Sequence, residues 1–404
     1  MLEALQRGVQ GGVWFSLVDK VQRPSTLAAA WERVRANQGS AGADGQSVEA
    51  FDADAERHLE RLHEELRAGT YRPGPVKRVW IEKPGSRQKR PLGVPAVRDR
   101  VVQAALRLVI EPIFEREFSP RSYGFRPGRG CKDALRRVAQ LLAEGNVWVV
   151  DADLKGYFDS IPHEGLMDEV RKRIADGRVL DLIEGFLRQG VLEDMKVWTP
   201  EAGTPQGAVI SPLLANVYLH PVDQAVEAAG YEMIRYADDF VILCRSRAEA
   251  ERALATVERL MTERGLTLHP EKTRVVDASV DGFDFLGYHF ERGKRWPRDK
   301  SMKKLRDAVR SKTKRTNGQS LSYIIADVNR TLRGWFAYFQ HSHKTVFAPI
   351  DGWVRRRMRS ILRRRSGRRG ISRGLDNNRW PNAYFREHGL YSLEAAHRSS
   401  LQSG

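Results

Sequence analysis

Two adjacent carboxylates, Asp238 and Asp239, stand between two apolar runs in the stretch YEMIRYADDFVILCRS. Met233, Ile234 and Tyr236 precede them, and Phe240, Val241, Ile242 and Leu243 follow. Runs this short, rich in β-branched and aromatic residues, predict two buried strands with the Asp pair at the tight turn between them. Aspartate is an ordinary turn residue, but two-residue hairpin turns favour Asn-Gly or Asp-Gly, and neither residue here is glycine. Two like charges side by side at a strand junction are costly unless a cation compensates, and a divalent metal ion is the usual compensation. A third carboxylate, Asp153, closes the predicted strand VWVVDAD, and the C-terminal end of a buried strand is a frequent site position. Between them lies GTPQG, residues 203–207, expected to be a glycine-rich turn that opens a helix and presents backbone N–H groups together with Gln206.

These groups need a sheet with helices behind it. Ser246, with Glu249 three residues later, has the capping-box spacing of a helix start. Leu254, Val257, Leu260 and Met261 give that helix a buried face, and Gly265 ends it. A strand pair is expected next, through LTLHPEKTRVVD and GFDFLGYHF. Upstream, residues 1–70 read as mostly helical. Leu27, Trp31 and Val34 share one face with Pro24 near the helix start, and a second amphipathic helix runs from Val48 to a stop at Gly69. Residues 71–100 predict a β-hairpin, with Val79–Ile81 on one strand and Pro91–Val94 on the other. Lys83 and Arg90 flank its PGSRQ turn, as a clamp on phosphates would require. A helix is expected from Arg98 to Phe118. The following SPRSYGFRPGRGC interleaves Arg121, Arg126 and Arg129 with Tyr123 and Phe125, a pattern suited to a nucleic-acid strand.

The composition agrees with a polyanionic partner. The 404 residues carry 68 Lys and Arg against 51 Asp and Glu, a net charge of +17. Much of the excess lies in two runs, Arg295–Arg315 and Arg355–Arg369, separated by helical patterning and the aromatic cluster Trp335, Phe336, Tyr338 and Phe339. A basic helical domain is expected there. The only cysteines, Cys131 and Cys244, make neither a zinc cluster nor a disulfide framework, which fits a reducing, cytoplasmic setting. His341 and His343 form an H-x-H without further clustered ligands. No apolar run reaches the length of a membrane span, and the N-terminus lacks a signal-peptide pattern.

In this order, RPLGVPAVRDRVVQAAL, YGFRPGRGCKDAL, DADLKGYFDSI, GTPQGAVISPLLANVYL, RYADDFVIL, LHPEKT and FDFLGYHF resemble reverse transcriptases, and closely those encoded by group II introns. LRGWFAYFQ resembles their maturase domain (domain X), and RWPNAYFREHGLYSL their usual C-terminal end. The resemblance covers nearly the whole chain. It implies an α/β (α+β) right-hand polymerase: an N-terminal helical extension of the fingers over 1–70, fingers and palm over 71–290, a helical, basic thumb/maturase domain over 291–375, and a tail over 376–404. Nothing after Leu393 looks like the HNH endonuclease that many relatives carry, so target-strand cleavage is not expected from this chain.

The resemblance also implies roles. Asp153 and Asp238 would hold two Mg²⁺ ions (or Mn²⁺), with Asp239 as a third or supporting ligand and Leu154 offering its backbone carbonyl. Lys83 and Arg90 would hold the triphosphate of a dNTP, Gln206 would meet the incoming nucleotide or template, and Lys272 would neutralise or protonate the leaving pyrophosphate. Phe158 would lie under the sugar. Arg121, Arg126, Arg129, Arg363, Arg364 and Arg365 would bind RNA. The partners implied are an RNA template, a DNA primer, structured intron RNA and target DNA, with no membrane. The activities implied are RNA-directed DNA synthesis and assistance to splicing and mobility of a group II intron. The competing expectation is a domesticated, stand-alone bacterial reverse transcriptase used in phage defence, CRISPR adaptation or repair.

Overall fold

The structure is a computed structural model that describes residues 12–82, 89–193 and 196–402. The chain divides into two compact units, Met1–Val275 and Val276–Gly404. Lys83 and the PGSRQ turn lie outside the described residues.

In the first unit the strands follow as β1 (Val76–Glu82), β2 (Lys89–Val94), β3 (Trp148–Asp153), β4 (Val191–Glu193), β5 (Lys196–Trp198), β6 (Glu232–Tyr236), β7 (Asp239–Cys244) and β8 (Arg274–Asp277). The central sheet has the order β6-β7-β3-β8. Strands β6 and β7 form the expected antiparallel hairpin, and Tyr236 pairs with Asp239 around a turn of Ala237 and Asp238. The turn therefore sits one residue earlier than the Asp pair itself, and Asp239 is the first residue of β7. Every residue of β7 after Asp239 is buried. The cause is cover on both faces: the helix Arg247–Glu263 packs on β3 and β7, and the helix Cys131–Ala143 packs on β6 and β7. A strand covered on both sides has no polar face to alternate with, which is why DFVILC reads as a continuous apolar run. The Arg247–Glu263 helix starts as its sequence says. Ser246 Oγ accepts from the Glu249 N–H at 3.2 Å, while the Glu249 carboxylate reaches back to the Arg245 N–H at 2.9 Å.

A second sheet, β2-β1-β4-β5, carries the basic hairpin. Trp80 pairs with Pro91 and Ile81 with Arg90, in antiparallel register. Proline is tolerated because β2 is an edge strand.

The N-terminal helices depart from expectation in one place. Leu27, Trp31 and Val34 are buried in one face of Pro24–Asn37. The expected second helix is two, Val48–Asp52 and Ala55–Ala68. Asp54, with φ −143°, breaks the run and acts as the new N-cap, so a single apolar stripe spans two helices. Gly69 ends the second in the left-handed conformation, with φ 73°.

In the second unit, β9 (Phe283–Phe285), β10 (Tyr288–Glu291) and β11 (Lys294–Pro297) form an antiparallel sheet of order β11-β10-β9. This corrects two expectations. GFDFLGYHF does not pair with the strand from LTLHPEKTRVVD, which joins β3 in the Asp sheet instead, and the start of the first basic run is a strand rather than part of a helix. Tyr288 pairs with both Phe285 and Pro297, so aromatic side chains hold the small sheet together. The helices Asp299–Lys312, Leu321–Phe339 and Phe347–Arg365 share a core that includes Leu305, Val309, Val328, Leu332, Phe347 and Met358. Trp380, Phe385 and Leu393, from the short helical segments that follow, are buried in the same core.

Candidate active site

The register brings the carboxylates together. Asp153 ends β3 and is the direct cross-strand partner of Asp239 in β7. Side chains of directly opposed residues lie on the same face of a sheet. Asp238 occupies the hairpin turn beside them. Burial pushes its carboxyl above the ordinary aspartate value, the charge of Asp153 acts the same way, and Arg90 and Lys272 act against both. Lys272 rests on Asp153, its ammonium donating to Oδ2. The neighbouring Asp151 is answered by Arg274 at 3.2 Å.

The turn is held from behind by groups that the motif reading passed over. Ala237 has φ 61°, a conformation that costs a non-glycine residue about 1–2 kcal/mol. Arg235 stabilises it, donating to the Ala237 carbonyl at 3.0 Å. The same guanidinium is fully buried and forms a fork on Asp223 at 2.7 and 2.5 Å, with a further bond to Asn216 Oδ1 at 2.9 Å. Asn216 in turn donates to the Gly124 carbonyl at 2.8 Å. A Cβ on Gly124 would overlap the Ala237 backbone nitrogen, so glycine is required at that close approach. An arginine between Ile234 and Tyr236 on a buried strand was the available signal: it demands a buried anion, and Asp223 supplies it.

Arg90 is exposed on β2 and close enough to act on Asp238 and Asp159. Phe158 is half-buried, with its ring edge-on to Phe125 at 6.2 Å. Leu154 follows Asp153 with its side chain in the core. Gln206 Nε2 donates to Asp159 at 3.1 Å, and its carbonyl accepts from the Gly93 N–H at 2.7 Å. The GTPQG turn is thus seated on β2. It does not open a helix directly, because the next helix begins at Ser211.

Two arginines are withdrawn from the RNA-binding set. Arg126 is buried, donating to Glu115 at 2.8 Å and to the carbonyls of Ser119 and Ser122, so its donors serve the fold. Arg363 is ion-paired at 3.0 Å to Asp376, which is fully buried. Arg121 is half-buried and paired with Glu232 at 2.7 Å. Arg129 lies over the Tyr123 ring at 5.7 Å and bonds the Pro120 carbonyl. Arg364 and Arg365 are exposed.

The donor set suits a hard divalent cation. Carboxylate oxygens are its preferred ligands, and an ion that keeps several waters needs only one or two from the protein. The Lys272 ammonium seated on Asp153 shows that the cluster accommodates positive charge. Among the described residues, no group of three or more His, Cys, Asp or Glu is placed to hold a metal ion by itself.

Asp238 on the hairpin turn, Asp239 at the start of β7 and Asp153 opposite it at a strand end thus form one acidic cluster on a sheet backed by helices. The comparisons give the class. A profile described as "Reverse transcriptase (RNA-dependent DNA polymerase)" matches residues 81–290, and one described as "Group II intron, maturase-specific domain" matches residues 302–380. The chain belongs to the reverse transcriptase family, of the group II intron-encoded kind. Group II intron-encoded protein LtrA of Lactococcus lactis subsp. cremoris is 38% identical over 204 residues, which are 50% of this chain and 34% of LtrA. The match thus spans about a third of that relative's length. Protein YkfC of Escherichia coli (strain K12) is 33% identical over 319 residues, 68% of this chain and 83% of YkfC. Among solved structures, a partial Cas6-RT-Cas1–Cas2 complex aligns with a TM-score of 0.40 at 25% identity, over 61% of this chain and 41% of that one. Among the described residues, no helix is long and apolar enough to cross a membrane.

Proposed function

We propose that the chain is an RNA-directed DNA polymerase that also binds group II intron RNA and assists its splicing and mobility. The observation that carries the polymerase reading is the pairing of Asp153 with Asp239 beside Asp238 on its hairpin turn. In the reaction, the primer 3′-hydroxyl loses its proton to solvent water and its oxygen bonds to the α-phosphorus of a dNTP. The bond from that phosphorus to the bridging oxygen breaks, and pyrophosphate leaves with the electron pair. Asp153 and Asp238 would hold the divalent ions, two Mg²⁺ in this reading, with Asp239 supporting them. Bound there, the ions supply Lewis acidity and charge neutralisation.

The chain's own residues do the rest. Arg90, with Lys83 beyond the described residues, orients the triphosphate. Lys272, which donates to Asp153, would neutralise the leaving pyrophosphate. Phe158 excludes a ribose 2′-hydroxyl, and Gln206 steadies the nucleotide or its template base. Arg235 keeps the turn in place. The maturase reading rests on the match over residues 302–380 and on the exposed arginines of Phe347–Arg365, which offer positive surface to structured RNA.

The test is Asp238→Asn. Primer extension on an RNA template should be abolished, while the melting temperature and RNA binding stay near wild type. Extension near the wild-type rate in Mg²⁺ would overturn the assignment.

A further inference from the structure

The sheet β2-β1-β4-β5 presents an aromatic face that the reaction above does not use. Val76 pairs with Val191, and Val191 with Trp198. Side chains two apart share a strand face, so Arg78 and Trp80 of β1 stand on the same face as Trp198 of β5. The Arg78 guanidinium lies between the rings, 5.9 Å from the Trp80 centroid and 5.4 Å from that of Trp198. Trp80 is fixed by its Nε1–H, which donates to Glu193 at 2.8 Å. Even so, Trp80 is 49% exposed and Trp198 44%. Arg78 Nε is buried without a hydrogen-bond partner. Beside them is a cleft of about 440 Å³, whose walls include Asp159, Thr204 and Gln206.

Two half-exposed tryptophans around a guanidinium are wasteful as core and costly as bare surface. They suit flat π-systems, because every nucleobase has a face that stacks on an indole or a guanidinium. The charge points the same way. On the tryptophan face the strands carry Arg78, Lys89 and Lys196 against Glu82 and Glu193, a small cationic excess. An apolar protein partner would gain nothing from that excess, whereas a phosphate backbone would. The cleft also reaches the candidate nucleotide-contacting residue Gln206, which lines it together with Asp159, next to Phe158 in sequence.

We infer that Trp80, Arg78 and Trp198 form a stacking platform for the unpaired bases of a single-stranded RNA template, ahead of the position where it meets the incoming nucleotide. The inference rests on the polymerase reading for the direction of the strand. The platform itself acts before any chemistry, so binding tests it separately.

The experiment measures the affinity of the full chain for a primed RNA template with a 5′ single-stranded overhang, and for the same duplex with a blunt end. Replacing both tryptophans (Trp80→Ala, Trp198→Ala) should weaken overhang binding roughly tenfold and leave blunt-duplex binding unchanged. Trp198→Phe, which keeps a ring, should retain most of the affinity. An overhang of abasic residues should reproduce the loss with the wild-type protein and add nothing to the double variant. That arm needs no mutant, so a variant that fails to fold does not spare the proposal. Equal losses on overhang and blunt duplex, or an abasic overhang that binds as well as a normal one, would overturn it. So would a change in self-association with RNA binding intact, which would make the face a contact between copies of this chain. A wild-type protein that shows the overhang preference but never extends a primer would sink the polymerase reading and leave the platform standing.

Discussion

Tyr157 and Phe158 are neighbours with opposite surroundings. Tyr157 is 2% exposed, and its hydroxyl donates to the Ala215 carbonyl at 2.5 Å, which makes it part of the core. Phe158 is half-buried, on the side of Phe125 and of the turn that holds Gln206. Of the two rings, Phe158 is the one free to lie beneath a sugar. Phe158→Ala should then open space for the 2′-hydroxyl. On one primed RNA template, the ratio of kcat/KM for dNTP over rNTP should fall at least about tenfold, by more than the loss in dNTP incorporation itself. A purely structural Phe would instead cost about 3–5 kcal/mol of stability and slow both substrates alike. An unchanged ratio with a lowered melting temperature would reject the gate.

At the scale of elements, the β6–β7 hairpin is positioned by the helix Ser211–Ala228 through one buried ion pair. Side-chain exposure is 1% for Arg235 and 2% for Asp223, so neither charge has water to fall back on. Removing one partner of such a pair costs about 3–5 kcal/mol, whereas replacing both with apolar groups of similar size is often neutral. Arg235→Met should therefore lower the melting temperature sharply. Combining it with Asp223→Leu should recover most of the loss. Primer extension should stay impaired in the double variant, because the Ala237 carbonyl has lost its donor and the turn that carries Asp238 is no longer held. A double variant that extends primers at the wild-type rate would show that the pair serves stability alone.

For the whole molecule, the net charge of +17 predicts RNA binding that weakens steeply with salt. The basic runs are not uniform, however. Arg363 is committed to Asp376, while Arg364 and Arg365 are exposed. Replacing Arg364 and Arg365 with Ala should lower the log–log salt slope by about 0.7 to 0.9 per lost phosphate contact, with little change in melting temperature. Splicing assistance should suffer more than extension on a simple primed template. Arg363→Ala should do the reverse, lowering the melting temperature by leaving Asp376 unpaired. A salt slope unmoved by the first pair would place the RNA elsewhere on the surface.

The β6–β7 hairpin (to within one residue at its turn), the strand ending at Asp153 and the helix capped by Ser246 were all legible in the chain, because each depends on neighbours a few residues away. Apolar runs, turn residues and capping spacings are local, and so are the motifs that carried the family resemblance. The register that sets Asp153 opposite Asp239 was not legible, since it joins strands more than eighty residues apart. Nor was the fate of individual charges. Arginine has the same long side chain whether it meets solvent or a buried carboxylate, so Arg126 and Arg364 look alike in sequence. Only the fold supplies Glu115 to the first and leaves the second exposed. The same holds for Arg235, whose buried partner lies on another element, and for Trp80 and Trp198, which become one surface only when β1 and β5 join the same sheet. Local patterning thus determined which elements form and which residues could do chemistry. Long-range pairing and desolvation decided which of those residues are positioned for it.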